Sequence, residues 1–143
     1  MTAPPEDVAA ALTDGIGLLA RRLRQVRPTG DLSHPESIAI SSLERHGPST
    51  SAELARHENV RAQSMHATLA GLAHRGLVER TTDPTDRRRV VVSLTPEGRA
   101  AAQAKRDARS SRLISLLTEE FSAAEREVLL AAAPLLARLG RTV

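Results

Sequence analysis

No cysteine occurs in these 143 residues, so disulfides, thiolate nucleophiles, Cys-based zinc sites and thiol redox sensing are excluded. Aromatic side chains are nearly as scarce, with Phe121 standing alone among Phe, Trp and Tyr. So few aromatic rings argue against the stacking platforms of single-strand nucleic-acid modules. Its core must come from Leu, Ala, Val and Ile, a helix-friendly set, within a composition that is 41% apolar. No apolar run approaches the ~18 residues a membrane-spanning helix needs. The start, MTAPPEDVAA, lacks the basic head and long apolar stretch of a signal peptide. A cytoplasmic protein with no membrane partner is expected.

What is abundant is arginine. Of 20 basic residues only Lys105 is a lysine, and the net charge is +3 with an isoelectric point near 10.8. Guanidinium forks match phosphate oxygens and guanine edges better than an ammonium does. The length suits one domain with a real core.

Helix start signals divide the chain. Val8, Leu12, Ile16, Leu19, Leu23 and Val26 recur at steps of three and four, which predicts a long first helix stopped by Pro28 and Gly30. Ser33 with Glu36, Thr50 with Glu53 and Ser122 with Glu125 have capping-box spacing. They predict a second helix up to Gly47-Pro48, a short third helix, and a last helix kinked at Pro134. A fourth helix, RAQSMHATLAGLAHRG, places Met65, Leu69 and Leu72 on one side at 100° per residue. Gln63, Ala67, Ala70 and His74 fall opposite, with Ser64 and His66 on the flanks, and Gly76 is positioned as a cap. LVERTTDPTDRRRVVVSLT reads as strand, turn, strand, with Val90, Val92 and Leu94 alternating onto one face. Thr95-Pro96-Glu97 then opens a fifth helix extending to about Thr118.

Two short helices joined by a three- or four-residue break are a weak helix-turn-helix signal, because many helix pairs fit it. A two-stranded ribbon directly after the second helix sharpens it. That order predicts a winged helix, whose second helix enters the major groove. The run Arg87, Arg88, Arg89 at the ribbon tip would reach a narrow minor groove, which attracts arginine. Strand alternation would send Arg88 to one face and Arg87 and Arg89 to the other. Phosphate contacts are expected from Arg61, Arg75, Arg80 and the helix start at Thr50 and Ser51.

From Thr50 to Ala102 the chain resembles the multiple-antibiotic-resistance regulator (MarR) family of bacterial transcription factors. The most specific stretch is GLVER…DPTDRRRVVVSLTPEG. The resemblance implies a homodimer with interlocked first and last helices, often released from DNA by a small anionic or phenolic compound. Asp86 and Arg88 match the family's Asp-x-Arg wing, implying that Arg88 enters the minor groove while Asp86 holds its guanidinium. Gln63, Ser64, His66 and Ala67 match the base-facing start of the recognition helix. Gln63 could pair with adenine and Ala67 could meet a thymine methyl. Asn59, Arg61 and Ala67 depart from the family's usual turn glycine, polar cap and polar contact. Asn tolerates the left-handed backbone, and Arg61 is a poor cap but a plausible phosphate contact.

The expected architecture is mainly α with a small β-hairpin: one domain over 1–143, with an N-terminal dimerisation helix at 5–30. A winged helix-turn-helix follows at 33–96, and C-terminal dimerisation helices at 97–143. A dimer also follows from the apolar load, since Leu113, Ile114, Leu116, Leu117, Phe121, Val128, Leu129, Leu130, Leu135, Leu136 and Leu139 exceed what one monomer buries. His66 and His74 lie about 12 Å apart along one helix, and His34, His46 and His57 show no ligand spacing, so neither metal nor cofactor is expected. No nucleophile elbow, phosphate loop or paired carboxylates suggest an enzyme. An effector would need an anion site, for which Arg21, Arg22 or Arg24 of the first helix are candidates. The function expected is a homodimeric, sequence-specific duplex-DNA repressor released from a palindromic operator by a ligand. The rivals are a protein-interaction winged helix and a non-specific architectural DNA binder.

Overall fold

The computed structural model describes residues 2–26 and 32–143. Among them, six helices and three short strands follow one another. They are α1 (Pro5–Gln25), α2 (His34–His46), β1 (Ser49–Thr50), α3 (Ser51–His57), α4 (Ala62–His74), β2 (Val78–Thr82), β3 (Val90–Leu94), α5 (Pro96–Glu119) and α6 (Ala123–Thr142). The chain divides within α5 into two compact units, Met1–Ala108 and Arg109–Val143. The stop signal expected at Pro28 and Gly30 lies outside the described residues.

All three expected capping boxes form. In each, the side chain of Ser33, Thr50 or Ser122 accepts from the backbone of the glutamate three residues on, which reciprocates. Caps of this kind typically contribute about 1 kcal/mol each. The exits of α3 and α4 are equally local. Asn59 (φ 52°) and Gly76 (φ 74°) adopt the left-handed conformation. The following amides, of Val60 and Leu77, reach back to the carbonyls of Ala55 and Leu72 at 3.0 Å each, closing Schellman motifs that satisfy helix-end carbonyls. Asn59 thus takes the backbone role of the glycine it replaces.

The first unit is built around Ile40, Leu43, Leu54, Met65, Leu69, Leu72 and Val92, all buried. The sheet holds one strand more than the expected hairpin. Its order is β1-β3-β2, antiparallel throughout, and β1 contributes only the pairs Ser49↔Val92 and Thr50↔Val91. Two residues preceding a helix carry no periodicity, so β1 was illegible in the sequence. The expected shared face of Val90, Val92 and Leu94 is buried only in its middle. Val92 is 2% exposed, but Val90, nearer the wing, is 45% exposed, because the core ends before the strand does.

Side-chain contacts join α2 to other segments of this unit. Lys105 is buried on α5, and its ammonium donates to the Ser37 hydroxyl; that hydroxyl donates in turn to the Ser33 carbonyl at 2.9 Å. The rings of His46 and His57, ending α2 and α3, stack with centroids 3.8 Å apart. Beside them Arg45 pairs with Glu58 at 2.5 Å.

In the second unit α6 starts at its capping box and continues through Pro134 to Thr142. Among the described residues of α1 and α6, none is buried.

Candidate nucleic-acid interface

Helix α4 turns Met65, Leu69 and Leu72 into the core and leaves its opposite side to solvent. Gln63, Ala67, Ala70 and His74 are exposed there, and Ser64 and His66 are exposed on the flanks. The periodicity of the sequence therefore orients the helix correctly. The outward face offers an amide, a hydroxyl and an imidazole around a small alanine, which suits close approach to base edges. Arg61 occupies the cap position of α4 but makes no side-chain capping bond, and its side chain is exposed.

The other expected phosphate-binding positions differ in availability. The Thr50 hydroxyl accepts the Glu53 amide, and Ser51 sits half-buried in the first turn of α3. Arg75, at the end of α4, pairs with Glu36 at 2.7 Å. Arg80 is exposed on β2. Arg21, Arg22 and Arg24 are exposed on α1. A cleft of about 430 Å3 lies between α2 and the start of α4, with Pro35, Ile38, Val60, Arg61, Ser64 and Met65 among its walls. None of those three arginines borders it. Its walls come from segments far apart in sequence, so no local pattern announced it.

Residues 83–89 form the wing as a sequence of tight turns. The Asp83 amide donates to the Arg89 carbonyl at 2.8 Å, and the Arg89 amide to the Asp86 carbonyl at 3.0 Å. The Asp83 carboxylate accepts both the amide (2.8 Å) and the hydroxyl (2.7 Å) of Thr85. The Thr85 hydroxyl, then its amide, hold the Asp83 carboxyl below its ordinary value.

Two expectations for the wing are corrected here. Asp86 meets the Arg88 guanidinium as an ion pair and not through the charge-assisted hydrogen bond expected. Its Oδ1 accepts the Arg88 backbone amide at 3.0 Å, and the guanidinium Nε stands 3.5 Å away on a side chain that is 94% exposed. Asp86 shapes the turn, and Arg88 projects from it. Nor does strand alternation govern Arg87–Arg89, because β3 begins only at Val90. Arg87 is exposed, whereas Arg89 is drawn to Glu53 at 2.7 Å and Asp83 at 3.3 Å. Burial pushes the Glu53 carboxyl up, but the Thr50 amide and Arg89 outweigh it and leave it below its ordinary value. The sequence showed three equivalent arginines; the wing turn, which brings Asp83 to Arg89, and the pairing of β1 with β3, which brings Glu53, distinguish the last.

A helix-turn-helix followed by an arginine-tipped wing is the arrangement on which comparison with known proteins turns. The MarR family model matches residues 31–89. An HTH-type transcriptional regulator of Mycobacterium bovis is 34% identical over 132 residues, covering 92% of each chain. The chain belongs to the MarR family. The HTH-type transcriptional repressor NicR of Pseudomonas putida is 31% identical, covering 72% of this chain and 70% of its own. A transcriptional regulator of Pseudomonas aeruginosa with a solved crystal structure superposes with a TM-score of 0.83. It is 30% identical, and the match covers 97% of this chain and 98% of that one. This MarR-family protein is a DNA-binding transcriptional regulator and not an enzyme. Among the described residues no helix is long and apolar enough to cross a membrane.

Proposed function

We propose that this MarR-family regulator is a homodimeric repressor. It reads a roughly palindromic operator with Gln63, Ser64, His66 and Ala67 in the major groove and Arg88 in the adjacent minor groove. The observation that carries the reading is the exposure of both elements. The outward face of α4 has no protein partner among the described residues, and Arg88 stands almost wholly in solvent. Arg61 and Arg80 supply phosphate contacts, with Arg87 adding charge at the wing. Repression as the sense of regulation is carried from NicR, which bears that name.

The dimer rests on apolar surface. Ile16 and Leu19 of α1 are about half exposed, and Val128 and Leu130 of α6 are 68% and 69% exposed. Covering the exposed part of each such side chain would gain roughly 1–2 kcal/mol, which favours a second copy as the cover. A two-fold dimer sets its recognition helices about one helical turn of DNA apart. Release by a small anionic effector is part of the same proposal, with Arg21, Arg22 or Arg24 as its anion partners.

The test is selection of binding sites from a randomised duplex pool at about 0.15 M salt. Enrichment of an inverted repeat supports a dimeric sequence reader. Uniform retention of all duplexes would favour an architectural binder, and no retention a protein-interaction module. Titrating the enriched duplex with candidate organic acids then tests release, which Arg21→Ala, Arg22→Ala or Arg24→Ala should blunt.

A further inference from the structure

We infer that Arg89 is a positioning residue that fastens the wing to the start of the helix-turn-helix, so that Arg88 is presented at a fixed distance from α4. The inference rests on the reading that the wing meets DNA. Three observations converge on it. The Arg89 guanidinium lies between two carboxylates, Nη1 on Glu53 at 2.7 Å and Nε on Asp83 at 3.3 Å. Its side chain is 43% exposed where that of Arg88 is 94% exposed. The antiparallel pair Thr50↔Val91 brings the first turn of α3 beside the base of the wing.

Each partner is fixed by other bonds. Glu53 also accepts the Thr50 amide in the capping box, and Asp83 is held by both groups of Thr85. Arg89 therefore bridges two pre-ordered anchors, one on α3 and one in the wing turn. A planar fork can meet two carboxylates at once, which an ammonium on a flexible stem does poorly. A guanidinium so engaged is a weak candidate for phosphate. Arg88, one residue earlier, is the group that its placement aims.

The experiment compares wild type with Arg89→Gln, Arg89→Lys, Glu53→Gln and Arg88→Ala, with thermal melting confirming that each is folded. Glu53→Gln keeps a capping box, since glutamine serves at that position, while removing the charge. In free protein, hydrogen exchange is followed at the Asp83 and Arg89 amides. In complex, affinity for the enriched duplex is measured against salt. Faster exchange at both amides in Arg89→Gln and Glu53→Gln is expected, with partial recovery in Arg89→Lys. Affinity should fall about three- to tenfold in Arg89→Gln, within reach of a small ion-pair network. The log–log salt slope should remain that of wild type. A slope reduced by about 0.9 per site would make Arg89 a phosphate contact and overturn the inference, as would unchanged amide exchange. If Arg88→Ala leaves affinity untouched, the wing's role on DNA fails instead. That failure is distinguishable, because exchange reports the fastening without DNA.

Discussion

Gly98 lies against the carbonyl of Leu77 so closely that a β-carbon at position 98 would overlap its oxygen. The same carbonyl accepts the Thr95 amide at 3.2 Å. The Thr95 hydroxyl donates to the Gly76 carbonyl at 2.6 Å and accepts the Gly98 amide at 3.1 Å. Thr95 and Gly98 thus clamp the start of α5 to the exit of α4. Gly98→Ala should destabilise the fold by about 1–3 kcal/mol through overpacking, read as a lowered midpoint in urea. An unchanged midpoint would mean that the backbone yields freely there.

Arg61 makes opposite predictions for stability and affinity. A serine or aspartate in its place could cap α4, and such caps contribute about 0.5–2 kcal/mol. Arg61→Asp should raise the unfolding midpoint while weakening binding to the selected duplex and flattening its salt dependence. Gaining stability with no loss of affinity would remove Arg61 from the phosphate contacts.

Reading of bases by α4 separates from phosphate binding in Gln63→Ala. It should cost about 1–3 kcal/mol on the preferred duplex and little on random duplex, because the amide carries sequence information that phosphates lack. Competition binding with both duplexes measures the ratio. Equal losses on both would place Gln63 off the bases.

Leu19→Glu combined with Leu129→Glu tests the apolar cover. Both side chains are about half exposed in the single chain, so a structural effect within one copy should be small. Sedimentation should find a species near 15.3 kDa in place of the dimer, with operator affinity lost. A persistent dimer would move the interface elsewhere.

Acid should loosen the wing and its anchor. The Glu53 and Asp83 carboxyls sit below their ordinary values of 4.5 and 3.8, so the unfolded chain takes up protons first. Their contribution is complete above those ordinary values and is lost as pH falls through the lower native ones. Protection of the wing amides, with each exchange rate divided by the intrinsic rate at the same pH and followed downward from about pH 5, should fall in wild type. It should be less pH-dependent in Arg89→Gln, which lacks the cation both carboxylates face. Parallel profiles would separate acid sensitivity from that ion pair.

Much of this protein was legible locally. Capping boxes, a proline after Thr95, and Met65, Leu69 and Leu72 at helical spacing act within a turn or two of the chain. They determined helix order, the turn positions and the outward side of α4. The contact between residues 50 and 91 was not local: two residues of β1 were too few to carry a pattern, yet their pairing decides that Arg89 meets Glu53. The three wing arginines are chemically identical in the sequence. Their different surroundings arise from the turn bonds of Asp83 and Asp86 and from a strand that begins at Val90. The sequence by itself determined which side chains of α4 face outward, because helical periodicity fixes the face opposite Met65, Leu69 and Leu72. Tertiary structure alone decided that Arg88 stands in solvent with only its neighbour Asp86 beside it while Arg89 is held by Glu53 and Asp83, because ion-pair partners are chosen by distance in space.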